Sequence, residues 1–62
     1  MEKYDVVVFY VELLAYIDGE VKSIVSVGMD SAICLKNAYD KVDELETLGH
    51  QVLVDECRLG IL

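Results

Sequence analysis

Tyr4-Asp5-Val6-Val7-Val8-Phe9-Tyr10-Val11-Glu12-Leu13-Leu14-Ala15-Tyr16-Ile17-Asp18-Gly19 is the stretch that decides the fold. Up to Ile17 it carries only two charges, Asp5 and Glu12. Most of its residues are β-branched or aromatic, which suits a strand better than a helix. Asp-Gly between two apolar runs is a strong hairpin signal, because both residues tolerate the positive φ of a tight turn. The strand is apolar on both of its alternating faces. One layer of protein on one side cannot cover it.

The first strand is expected over about 4–17 and the second over about 20–28. Register follows from how apolar and polar groups separate. A two-residue Asp18-Gly19 loop puts Lys22 and Ser26 beside Ala15 and Val11, on the most apolar face. A three-residue loop with Gly19 left-handed at a bulge pairs Tyr16 with Glu20 instead. Val7, Phe9, Val11, Leu13 and Ala15 then share a face with Val21, Ser23, Val25 and Val27. The other face takes Tyr10, Glu12, Leu14 and Tyr16 with Glu20, Lys22, Ile24 and Ser26. A slip of one residue moves every side chain across the sheet, and the three-residue loop gives the cleaner separation.

A helix is expected over about 31–48. Asp30 or Ser31 can cap its start, and Gly49 stands where a left-handed residue ends a helix. Leu35, Ala38, Val42 and Leu45 form an apolar stripe at helical spacing, widened by Ala32, Tyr39 and Leu48. A third strand is expected over about 50–59, with Val52, Leu53 and Val54 its best strand formers. It should lie beside the first strand, as a right-handed crossover if the two run parallel. Gly60-Ile61-Leu62 either continues that strand or docks on a neighbour. The expected class is α+β: a β-β-α-β domain, a three-stranded sheet with one amphipathic helix packed on one face.

The chain has 62 residues, which sets a limit of one domain, 1–62. A core this small contributes roughly 3–5 kcal/mol of net stability at best. Cys34 and Cys57 form no C-x-x-C pair, and His50 is the single histidine, so a four-ligand zinc site has too few ligands. Two small buried hydrophobes is the expected role of the cysteines. No metal or cofactor is expected. Acidic residues at Met1–Asp5 occupy the place of a basic signal-peptide start. The apolar run from Val6 to Ile17 is shorter than the roughly 20 residues of a spanning helix. A soluble, cytoplasmic protein is expected.

No nucleophile–base–orienter set is present, and Gly28 and Gly49 are isolated rather than part of a phosphate loop. The adjacent carboxylates Asp43-Glu44 and Asp55-Glu56 do not converge on a helix or a strand. An enzyme is not expected. Twelve acidic against five basic residues give a net charge of −7. That opposes direct nucleic-acid binding, which needs clustered Lys and Arg. It also keeps a small apolar protein in solution.

Two surfaces stand out. Asp40, Asp43, Glu44 and Glu46 gather toward the negative end of the helix dipole, where complementarity to the dipole does not explain them. Asp55 and Glu56 extend this charge. Carboxylates on a rigid frame attract a protein that ordinarily binds phosphate. On the sheet side away from the helix, Val6, Val8, Tyr10, Leu14, Tyr16 and Ile24 are left without cover. An apolar set of that size on so small a domain marks an interaction site, and tyrosine is enriched at interfaces.

The strand–hairpin–helix–strand plan resembles, in outline, small bacteriophage proteins that inhibit host nucleic-acid enzymes, such as those acting on RNA polymerase or uracil-DNA glycosylase. The likeness rests on element order, size and acidity, and it transfers no residue. It implies an acidic, non-enzymatic inhibitor of a host nucleic-acid enzyme or defence nuclease, acting through an acidic, tyrosine-bearing surface. A self-assembling homodimer that joins open sheet faces or strand edges is the alternative. A small-ligand sensor with a pocket between protomers is a third.

Overall fold

The computed structural model describes residues 6–62; Tyr4 and Asp5, the expected start of the first strand, lie outside the described residues. The elements are β1 (Phe9–Ile17), β2 (Glu20–Gly28), α1 (Ser31–Thr47) and β3 (Val52–Ile61). They form an α+β domain in which a three-stranded antiparallel sheet of order β2-β1-β3 carries one helix.

The hairpin turn corrects the expected register. Ile17 pairs with Glu20, so the loop is the two-residue Asp18-Gly19 and not the three-residue one. Asp18 has φ 52° and Gly19 φ 85°. Two positive φ values make a type I′ turn, whose twist matches that of the flanking strands. The fit of the turn outweighs the mixing of polar groups. Lys22 and Ser26 do lie on the helix side, but β2 is an edge strand and Lys22 stays exposed there.

β3 lies beside β1 as expected, and its direction, which the sequence leaves open, is antiparallel. The 17-residue helix rises about 25 Å, close to the length of the nine-residue β2. It therefore returns the chain to the hairpin end of the sheet. β3 starts beside the turn and runs antiparallel to β1 and parallel to β2, so the crossover unit is β2-α1-β3. Asp18 joins the two ends. Its N–H donates to the Gln51 carbonyl at 2.9 Å, and its carboxylate accepts from Gln51 N–H at 2.9 Å. The same carboxylate lies 2.6 Å from His50 Nδ1. The hydrogen bond from His50 and then that from Gln51 hold the Asp18 carboxyl below its ordinary pKa.

A bulge at Asp55 interrupts β3: Glu56 faces Leu14 while Val54 faces Ala15. It switches which residues look toward the helix, from Val52 and Val54 to Cys57, Leu59 and Ile61. Gly60 and Ile61 continue the strand, and Leu62 N–H donates to the Val8 carbonyl at 2.8 Å.

The core joins Val11, Leu13 and Ile24 of the sheet to Cys34, Ala38 and Val42 of α1, with Phe9, Ile17, Leu35, Leu45, Val52 and Val54 half-buried around them. Asp30 Oδ1 caps the helix, accepting from Ala32 N–H at 2.9 Å and Ile33 N–H at 3.2 Å. At the far end Gly49 N–H donates to the Glu46 carbonyl and His50 N–H to the Leu45 carbonyl, the Schellman pattern. Both cysteines are free thiols, Cys34 buried and Cys57 exposed.

Candidate functional site

The helix lies mainly over β1 and β2 on one side of the sheet. On the other side nothing among the described residues covers the strands. The two-residue turn fixes what is displayed there. β1 contributes Tyr10, Glu12, Leu14 and Tyr16; β2 contributes Val21, Ser23, Val25 and Val27; β3 contributes Leu53, Glu56, Arg58 and Gly60. Leu53 is 67% exposed, Val21 65%, Val25 60% and Val27 56%.

Three of the residues expected on this face are in place: Tyr10, Leu14 and Tyr16. Ile24 is not, and its placement there is corrected. The shorter loop turns it into the core, 8% exposed against Leu13. Val6 is exposed and Val8 half-buried, but both precede β1 and neither belongs to the strand. Val21, Val25 and Val27 stand where Ile24 was expected. The strong preference of Asp-Gly for a two-residue loop was the signal that could have found them.

A polar seam crosses the middle of the face. Ser23 Oγ donates to Glu12 Oε2 at 3.2 Å. Arg58 reaches Glu56 at 3.1 Å and Glu12 at 3.9 Å. The seam divides the apolar surface into two lobes, Tyr10 with Val25 and Val27, and Leu14 with Tyr16, Val21 and Leu53. The Tyr10 ring lies across Gly60, where an added Cβ would overlap the ring. Only glycine lets the aromatic cover the strand at that point.

The acidic residues do not form one surface. Asp40, Asp43, Glu44 and Glu46 are on α1. Asp55 sits at the bulge, and Glu56 points to the opposite side of the sheet, bound to Arg58. Lys36 lies 3.0 Å from Asp40, and Lys41 lies 3.9 Å from Glu44. Asp43, Glu46 and Asp55 enter no ion pair among the described residues. Tyr39, Asp43 and Glu46 follow i, i+4, i+7 spacing, so they share one flank of the helix.

Among the described residues no three His, Cys, Asp or Glu side chains gather as a metal site. His50 and Cys57 are not paired, since His50 is engaged with Asp18. No described helix is long and apolar enough to cross a membrane. No protein-family model, curated protein or solved structure matches this chain.

Proposed function

We propose that this chain is a non-enzymatic protein-binding module whose open sheet face is the contact surface. One observation carries the reading: a complete side of the sheet, with two tyrosines, three valines and two leucines, faces outward with no described residue covering it. Leu53 and the three valines take no part in the core, so folding does not require them to be apolar. Binding does, because a desolvated apolar centre with aromatic anchors is how interfaces gain affinity. The Glu12–Arg58 seam supplies the polar contacts that fix orientation.

The test is affinity capture of the tagged chain from nuclease-treated bacterial lysate, beside the variant Tyr16→Glu/Leu53→Glu. Both positions lie on the exposed face and away from the core. A protein captured in stoichiometric amount by the native chain, and absent from the variant while its circular dichroism is unchanged, is the expected result. The same protein on both chains contradicts the reading.

A second reading has its own support, the Tyr39–Asp43–Glu46 flank and the net charge of −7. In it the chain is an acidic inhibitor of a nucleic-acid enzyme, of phage or mobile-element origin, that occupies a basic phosphate-binding groove through the helix. Binding of that kind weakens with salt, and Asp43→Lys/Glu46→Lys abolishes it. Capture that survives both high salt and that variant excludes it.

A further inference from the structure

We infer that the free edge of β2 is an interface for a second copy of this chain, joined as an antiparallel β2–β2′ pair with its twofold axis at Ile24. The inference goes beyond the binding reading above, since it uses the backbone edge of β2 and leaves the open face free.

The hydrogen-bonding parity of the sheet sets the geometry. Asp18 N–H donates to Gln51 and the Val8 carbonyl accepts from Leu62. Even-numbered residues along β1 thus direct their backbone groups at β3, and odd-numbered ones at β2. Their partners on β2 are Glu20, Lys22, Ile24, Ser26 and Gly28. The remaining residues, Val21, Ser23, Val25 and Val27, aim both N–H and C=O outward, where no described strand receives them.

An antiparallel copy placed with Ile24 opposite Ile24 pairs Val21 with Val27 and Ser23 with Val25. Every outward backbone group of the strand then finds a partner. Moving the axis to Ser23 drops Val27 from the ladder, and moving it to Val25 drops Val21. The same alignment sets Lys22 against Ser26 and Glu20 against Gly28, so no like charges meet. Val21 and Val27, exposed on the open side, become cross-strand partners.

The two edges of the sheet differ in how they are guarded. β3 has the Asp55 bulge and carries Asp55, Glu56 and Arg58, the devices that blunt an edge. β2 is nine residues long, with no proline and no bulge, and its one guard past Glu20 is Lys22 on the helix side, which the proposed alignment sets against Ser26. An open edge with a self-complementary pattern suits its own copy better than a foreign strand.

The test is sedimentation equilibrium of the full chain with two paired variants. Val21→Lys/Val27→Lys places two introduced lysines opposite each other across the proposed axis. Val21→Lys/Val27→Glu places opposite charges there, while the two sites are too far apart within one chain to pair. The native chain is expected at twice its monomer mass, with association strengthened by salt because each copy carries −7. The double-lysine variant should sediment as a folded monomer and the lysine–glutamate variant as a dimer again. A native monomer at roughly 100 μM, well above the range of specific interfaces, overturns the inference. So does a dimer that the double-lysine variant keeps, or that Tyr16→Glu/Leu53→Glu alone dissolves, since either puts the interface elsewhere. Loss of partner capture with the dimer intact would instead concern only the open face.

Discussion

At the residue scale, Asp18 ties the hairpin turn to the start of β3. It adopts the left-handed conformation of the turn, and it takes hydrogen bonds from His50 and Gln51 that fasten the turn to the start of β3. Its pKa is lowered in the folded state, so its contribution to stability is present above the ordinary carboxylate pKa and is lost as the pH falls through the folded value. Asn at this position keeps the turn preference and removes the charge. Urea unfolding at pH 7 and pH 3 should therefore show the native chain ahead of Asp18→Asn at the higher pH, with the gap narrowing at the lower. An equal gap at both would mean the charge contributes nothing. Asp30 gives a second residue-scale expectation. Asp30→Ala removes the acceptor for Ala32 and Ile33 and should lower stability by about 1 kcal/mol. Gly60→Ala pushes the Tyr10 ring off β3, which intrinsic tyrosine fluorescence would register as a more exposed ring.

At the element scale, what the sequence discloses and what it hides separate along physical lines. Strand, hairpin, helix and strand were legible because each carries its own signal: β-branched runs, Asp18-Gly19, the Asp30 cap, and the Ala38–Val42–Leu45 spacing. Register was not. Sorting side chains by polarity favoured the three-residue loop, yet the preference of Asp-Gly for a type I′ turn decided the pairing. That one-residue difference sends Ile24 inward and Val21, Val25 and Val27 outward, so the candidate face was half legible. The bulge at Asp55 had no local signal and depends on how β3 fits β1. The core that results is small. Leu13 is fully buried between the two outer strands and the helix, and a buried Leu→Ala change costs about 2–5 kcal/mol. That is comparable to the roughly 3–5 kcal/mol at best that such a core supplies. Leu13→Ala should thus be largely unfolded at 25 °C by circular dichroism, and a cooperative native-like melt would show that the core is held by more than these contacts.

At the scale of the whole molecule, one helix cannot cover two sides of a sheet. Among the described residues the helix takes one side of the sheet and β3 takes one edge of β1, which leaves the open face and the β2 edge. They suit different partners, a foreign protein on the face and a second copy at the edge. Pairing at the edge would set two open faces side by side in one continuous six-stranded sheet, doubling the surface offered to a partner. It also links stability to concentration: the midpoint of thermal unfolding should rise as the chain is concentrated from about 1 to 100 μM, and an invariant midpoint would mean that the folded chain stands alone.

On the proposed reading the open face, and not the acidic helix, meets the partner. The tyrosines are built-in probes of it, because Tyr10 and Tyr16 lie on the face and Tyr39 on the helix flank. The measurement is hydroxyl-radical footprinting of the free chain and of its captured complex, read by mass spectrometry. Protection of Tyr10, Tyr16 and Leu53 with Tyr39 still labelled is the predicted result. Protection of Tyr39 with Tyr10 and Tyr16 labelled as in the free chain would contradict it.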